Sequence, residues 1–515
     1  MNSLKKTFED NKKWLLWALI SAFVWGMAAH GYGFFHDAFT HDSLSGFGGD
    51  TGDAWKISLG RFLVPVYRSI FRTELTLPWM VGMLSMLWVG LAVFLVIRMF
   101  RVENRLLICL ISGIFIANLT VTATGATYLH DLDGNLFGML CAVAAVWLWK
   151  NCRFGELPGA LCIAASMALY QSYISVTIVL ILYVCIFMLL EGENFRKVLA
   201  KGIRGAVMLL LGALCYSLAL KAALALSATE VTTGSSNSLD NLLRLSPSNI
   251  LSLIGEAYLQ CASRLIRVVS PYPRWLIAGV TVALGGICGG GLALAVWKKR
   301  LKLLECLLLL VLVALLPLGM NFTHVLSAGG SHDLMVYGIW LFYLLALLLV
   351  DWIGKQKLLK RENLLRWISA GQVFVLLYSN VQVANVLYLK KDMEQGAHLA
   401  MMTRVVYRIE EQEDYVPGET PVVLTGYLSQ LNNTIPGFEP YSKITGAWRA
   451  DPIYQLARYR VDAYMDAVLL NPVKLANSSL WTAMQQDPRV AEMPAYPAEG
   501  CIAMIDGIMV VKLGE

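Results

Sequence analysis

The sequence predicts a polytopic α-helical membrane protein of about eleven spans, ending in a small extracytoplasmic α/β domain. Three observations carry this expectation. Of the 515 residues, 57% are hydrophobic and only 15% are charged, where a soluble domain has about 25% charged. The apolar residues fall in long runs joined by short polar connectors. Lysine and arginine gather in alternate connectors, as they do in cytoplasmic loops. The net charge of +6 is therefore spread over topology-setting clusters and does not point to nucleic acid.

Lys5, Lys6, Lys12 and Lys13 precede the first apolar run, which reads as a retained anchor, and assign the N-terminus to the cytoplasm. Spans are expected at about 14–33, 78–97, 106–124, 134–149, 205–226, 274–297, 303–319, 334–351 and 367–385, with two short spans inside 157–190 around an outer turn at Tyr170-Gln171-Ser172. Arg98 and Arg101, Lys150 and Arg153, the cluster from Arg196 to Arg204, the KKRLK run at Lys298 and the cluster from Lys355 to Arg366 fall on the inner side. The outer connectors include a loop over about 34–77 and another over about 227–273, each with an amphipathic helix, at about 54–72 and 248–269.

Residues 1–385 are thus expected to form the membrane domain and 386–515 the outer domain. In the latter, residues 390–412 read as a helix, while LTGY, AVLLN and MIDGIMVVKL read as strands, the last folding at Asp506-Gly507 into a hairpin. Most of the ten cysteines lie inside apolar runs and read as small packers. Only Cys261 and Cys501 are expected to face an oxidising compartment, where a disulfide could join them.

The chemistry-bearing residues crowd the outer connectors. The stretch from His36 to Arg72 carries Asp37, His41, Asp42, Asp50 and Asp53, then an amphipathic segment. There Arg61, Arg68 and Arg72 fall within about 20° of one direction, with Trp55, Leu59, Phe62, Leu63, Val66 and Ile70 roughly opposite and Pro65 as an interruption. A cationic face of arginines suits phosphate, because the planar guanidinium matches two oxygens; it also suits anionic headgroups. Asp37, Asp42, Asp50 and Asp53 are candidate general bases, of which Asp50 and Asp53 among glycines also fit loop turns. His36, Asp37, His41 and Asp42 match no tight metal motif, so no metal site is assigned, although a divalent cation stays open.

The next outer connector offers His130, Asp131 and Asp133, either facing a cavity or capping the following span. Another offers His324, His332 and Asp333, with the same alternatives. Tyr170 and Gln171 fit sugar hydroxyls or an interfacial anchor. No acid–base pair is seen mid-span, which argues against an ion-coupled transporter.

FFHDAFTHDSL, WKISLGRFLVP, LHDLDGNLFG, LYQSYISV and SHDLMVYG, taken in order, resemble the type II serotype-converting glucosyltransferases of bacteria and phage, which look like GT-C glycosyltransferases. The resemblance implies a GT-C-like membrane domain in the bacterial inner membrane. It implies transfer of a hexose, glucose by this likeness, from undecaprenyl phosphate to a surface polysaccharide such as an O-antigen. A small flippase and a donor-lipid synthase would be partners. Carried over onto this chain, the base falls on Asp42 with Asp37 second, a further acid on Asp131 or Asp133, and the Gly-Arg pair's cation on Arg61. Arg68, His41, His130, Tyr170, Gln171, His332 and Asp333 complete the expected substrate-binding set. The competing readings are a flippase for lipid-linked glycans and a non-catalytic scaffold that binds cell-wall polymer.

Overall fold

A computed structural model describes residues 2–36, 52–73, 75–232, 247–426, 436–447, 461–462, 464–471 and 473–514. Asp37, His41, Asp42 and Asp50 lie outside the described residues.

The chain is mostly helical. In order it forms α1 (Asn2–Phe35), α2 (Asp53–Ser58), α3 (Leu63–Phe71), α4 (Pro78–Met99), α5 (Arg105–Ile116), α6 (Leu119–Thr127), α7 (Leu129–Asn151), α8 (Glu156–Tyr170), α9 (Ile174–Leu190), α10 (Phe195–Ser227), α11 (Pro247–Ile266), α12 (Arg274–Lys299), α13 (Leu303–Met320), α14 (Phe322–Leu326), α15 (Tyr337–Lys355) and α16 (Glu362–Glu410). Among the described residues, nine helices are long and apolar enough to cross a membrane, with α8 and α9 taken as one, and the bent pair α5–α6 makes a tenth.

The α8–α9 unit folds back on itself. Along α7, the Cα of Gly159 lies against Ala145, while Gly138 lies against Leu169, so α8 runs antiparallel to α7. Thr177 Oγ1 then donates to Ala142 O at 3.3 Å, and Gly205 of α10 touches both Ile181 and Trp149. That register makes α9 parallel to α7 and places the turn at Gln171–Tyr173, where the sequence indicated it.

The third expected span is bent by 41° between α5 and α6. A bend exposes backbone carbonyls that lipid cannot satisfy, and here each finds a donor. Asn118 Nδ2 takes Ile114 O at 3.0 Å, the Tyr337 hydroxyl takes Phe115 O at 2.5 Å, His30 Nε2 takes Ile116 O at 2.9 Å and Asn380 Nδ2 takes Ala117 O at 3.1 Å. Asn118 Oδ1 also caps α6 by accepting from Val121 N at 3.1 Å. Asn118 belongs to the bend itself and the other three donors come from α1, α15 and α16, so the bend is fixed by the bundle around it.

The long amphipathic helix expected at 54–72 is two short helices instead. The break comes at Leu59–Phe62, with Gly60 at φ +81°, and Pro65 sits harmlessly in the first turn of α3. Its faces are also reversed. The cationic side, Lys56, Arg61, Arg68 and Arg72, is buried, while Trp55, Val66 and Ile70 are 53%, 47% and 68% exposed. The second outer helix, α11, ends at Ile266 and carries Arg264 in its last turn.

Where a span and a separate helix were expected on either side of Val386, α16 runs unbroken for 49 residues. Its Leu376 and Val383 lie in the large apolar core of the bundle, and its Met402, Val405 and Ile409 lie in a second core built from the C-terminal segment. That second core covers a three-stranded sheet of order β1-β3-β2, made of β1 (Val422–Thr425), β2 (Ile502–Ile505) and β3 (Ile508–Lys512). β2 and β3 form the expected hairpin, with Asp506 and Gly507 both at positive φ, and β1 joins β3 in parallel. AVLLN is not a strand: Met465–Leu469 is a π-helical turn, and the bridge beside β1 is made by Leu475. Cys261 belongs to the large core and Cys501 to the small one, both as free thiols, so they form no disulfide.

Close helix approach generates one test. A Cβ on Gly212 would lie 2.7 Å from Ile163, whereas one on Gly289 would meet nothing within 4 Å. Gly212→Leu should lower stability by about 1–3 kcal/mol through overpacking. Gly289→Leu should leave the unfolding midpoint unchanged, as measured by thermal unfolding in detergent.

Candidate active site

Helix α7 opens with the sequence LHDLDGN, and its first two turns bury His130, Asp131 and Asp133. Acids suit the positive end of a helix, but a buried carboxylate still requires a partner. Asp131 receives Arg68 Nη2 at 2.6 Å and the Lys56 ammonium. Asp133 receives Arg72 Nε at 2.9 Å and the Tyr67 hydroxyl at 3.1 Å, which itself accepts Trp88 Nε1 at 2.9 Å. Arg72 also donates to the carbonyls of His130 and, at 3.0 Å, Leu75. The two carboxylates therefore clamp α2 and α3 onto α7. Neither caps the helix through its side chain.

The break between α2 and α3 is pinned from the other side. Gln171 Nε2 donates to Leu59 O at 2.8 Å and to the Tyr216 hydroxyl at 3.1 Å; that hydroxyl in turn donates to Gly60 O at 3.1 Å. These bonds present Arg61. Its guanidinium lies 4.8 Å over the ring of Tyr170, and the Tyr170 hydroxyl donates to Leu334 O at 3.2 Å. Arg61 is only 9% exposed, yet it forms no ion pair among the described residues, and its Nε is buried with no hydrogen-bond partner there. The Nδ1 of His130 is orphaned in the same way.

Beyond Tyr170 lies the connector that precedes α15. Of the two readings of Asp333, the cap does not hold, because α15 starts only at Tyr337; Asp333 pairs instead with Arg264 of α11 at 2.5 Å. Burial pushes the pKa of His332 down, against the opposing pull of Asp333, which keeps its imidazole neutral at pH 7. Burial also pushes Lys56 down, opposed by Asp131 and reinforced by Arg61 and Arg68.

Of the residues expected at the site, Arg61, Arg68, His130, Asp131, Asp133, Tyr170, Gln171, His332 and Asp333 gather at one end of the bundle. Asp37, His41 and Asp42 lie outside the described residues. Asp53, a candidate base that also fits a loop turn, stands 3.6 Å from Arg68 Nη1 with its side chain 35% exposed, the least enclosed of the carboxylates beside these cations. Among the described residues no group of three His, Cys, Asp or Glu is placed to hold a metal ion. Sequence reasoning missed Tyr216 and Thr445, whose backbone N–H and hydroxyl donate to Asp333 at 3.0 and 3.1 Å. Tyr216 sits in a helix that otherwise reads as lipid-facing, and nothing local marks Thr445.

Four buried cations (Lys56, Arg61, Arg68 and Arg72) thus face two buried carboxylates. An excess of positive charge, with a guanidinium left open, suits an anion at the polar end of an apolar bundle.

The family model for glucosyl transferase GtrII matches residues 31–327, more than half of the chain. No curated protein and no solved structure matches it.

The clamp is separable from the chemistry by a charge test. Arg72→Met strands the Asp133 carboxylate and should cost about 3–5 kcal/mol. The double variant Arg72→Met/Asp133→Asn should recover most of that loss, as read from detergent unfolding midpoints.

Proposed function

The chain belongs to the glucosyl transferase GtrII family, and from that membership we propose that it moves glucose from an undecaprenyl-phosphate carrier to a cell-surface polysaccharide, at the extracytoplasmic face of a bacterial inner membrane. The observation that carries this reading is Arg61: a buried guanidinium, fixed by Tyr170, with no carboxylate partner among the described residues. A lipid-linked phosphate arriving between the helices would supply the missing charge.

The sidedness has support from the opposite end of the bundle. There Lys201 donates to Trp149 O at 2.6 Å, Lys355 to Arg101 O at 2.5 Å and Lys150 to Met99 O, cations at helix C-termini in the pattern of cytoplasmic ends. Among the described residues, the nine qualifying helices, with α8 and α9 counted separately and α5–α6 added as one, would give eleven crossings. An odd number puts the two ends on opposite sides, and the lysines ahead of the first span favour an N-terminus inside and a C-terminal domain outside. A flippase that delivers the charged lipid and a synthase that makes it are the partners this reaction requires.

The transfer is a displacement at the anomeric carbon. The acceptor oxygen bonds to C1 as the C1–O bond to phosphate breaks, and the electron pair leaves with the phosphate. Arg61 meets the charge that develops there. The hydroxyl proton passes to a carboxylate, and attack from the far face inverts the sugar. Asp131 and Asp133 are poor choices for that base, because each is already neutralised by cations. The base comes from the first outer connector: Asp42, then Asp37, by the resemblance, and Asp53 among the described carboxylates.

Protein in nanodiscs, supplied with glucosyl-phosphoprenol and acceptor glycan, provides the test. Arg61→Ala should lower kcat/KM by about 10²–10³, the scale of one lost charge-stabilising donor, with Arg61→Lys falling between. One of Asp42→Asn, Asp37→Asn and Asp53→Asn should abolish turnover while donor binding persists. Wild-type activity in Arg61→Ala, or in all three Asn variants, would overturn the mechanism.

A further inference from the structure

Asp333 is where three distant parts of the chain meet. Its Oδ1 takes Arg264 at 2.5 Å, and its Oδ2 takes both the backbone N–H and the hydroxyl of Thr445, at 3.0 and 3.1 Å. Thr445 comes from the C-terminal part of the chain, yet its neighbours Tyr441, Ile444 and Ala447 are buried in the large core of the bundle and not in the small one.

The docking is tight. Gly446 has φ +88°, and a Cβ there would lie 2.2 Å from Thr127 Oγ1 at the end of α6. Two buried lysines of α16 hold the same turn: Lys390 donates to Ala447 O at 2.5 Å, and Lys391 to Gly446 O at 3.1 Å and to Ala126 O. Lys390 also pairs with Glu394 at 2.9 Å, whereas Lys391 donates to backbone carbonyls, and together they fix the turn that carries Thr445.

The Arg264–Asp333 pair differs from the clamp at α7. Its side chains are 23% and 18% exposed, against 1% and 0% for Arg72 and Asp133. It is fixed in place but open to water. It also adjoins Arg61, through the Tyr170 hydroxyl on Leu334 O. A fixed carboxylate and guanidinium side by side, one accepting and one donating, is the chemistry that recognises vicinal sugar hydroxyls. The segment that completes it reaches the bundle from the polar part of the chain, so the ligand there is the water-borne sugar and not the lipid.

Resting on the glucosyl-transfer reading, we propose that Asp333 and Arg264 form the acceptor-sugar subsite and that Thr445 is its positioning residue, delivered by the docked Tyr441–Ala447 turn. The bundle alone is then an incomplete enzyme: the C-terminal segment supplies one wall of the acceptor site.

Thr445→Val keeps the backbone N–H and removes the hydroxyl. With full-length protein in nanodiscs and a defined oligosaccharide acceptor, it should raise acceptor KM about tenfold, the worth of one hydrogen bond to a charged group, while kcat and donor KM stay within about twofold. Thr445→Ser should restore the acceptor KM. An unchanged acceptor KM, an equal rise in donor KM, or no rescue by serine would overturn the proposal, the last two pointing to a merely structural role. If wild-type protein releases no glucose from the donor lipid under any condition, the transfer reading itself falls. If it does so with an acceptor KM indifferent to Thr445, only the subsite falls.

Discussion

Charge compensation at the head of α7 is the constraint on which the rest depends. Asp131 and Asp133 are buried, and a buried carboxylate persists only with cations and hydrogen bonds around it. The compensating groups are Lys56, Arg68 and Arg72, so α2 and α3 must lie across α7 with their charged side turned inward. That forces Val66 and Ile70 outward, where a membrane accepts them. It also fixes the break at Leu59–Phe62, from which Arg61 emerges as the open cation. One electrostatic requirement thus sets the helix orientation, the lipid-facing surface and the geometry of the site.

Much of this is legible in the sequence, because long apolar runs and clustered basic residues leave few topologies. The fold-back at Gln171, the hairpin at Asp506-Gly507 and the outer helix bearing Arg264 follow from local pattern. So does the grouping of Arg61, Arg68 and Arg72 on one side. Periodicity shows that such a face exists but not where it points. In water a cationic face turns outward; against two buried aspartates it turns inward. The partner lies roughly seventy residues along the chain, beyond the reach of any local rule.

The other departures have the same origin. Residues 362–410 hold a polar stretch after the apolar one, which reads as a span followed by a separate helix, yet nothing at Val386 breaks the backbone and both cores accept its faces. AVLLN is apolar enough for a strand, but Leu475 occupies the bridge beside β1. Lys390 and Lys391 resemble an ordinary interfacial pair until the Gly446 turn packs against them. Each is a tertiary contact overriding a local preference.

The unbroken α16 has a mechanical meaning. At about 1.5 Å per residue its 49 residues form a rod roughly 74 Å long, gripped near its middle by His30 through Tyr388 and at its C-terminal end by the sheet's apolar layer. No hinge separates the two grips. A load on the sheet would therefore travel as strain down a single strut into the helical bundle, and any loosening of the bundle would tilt the sheet with it.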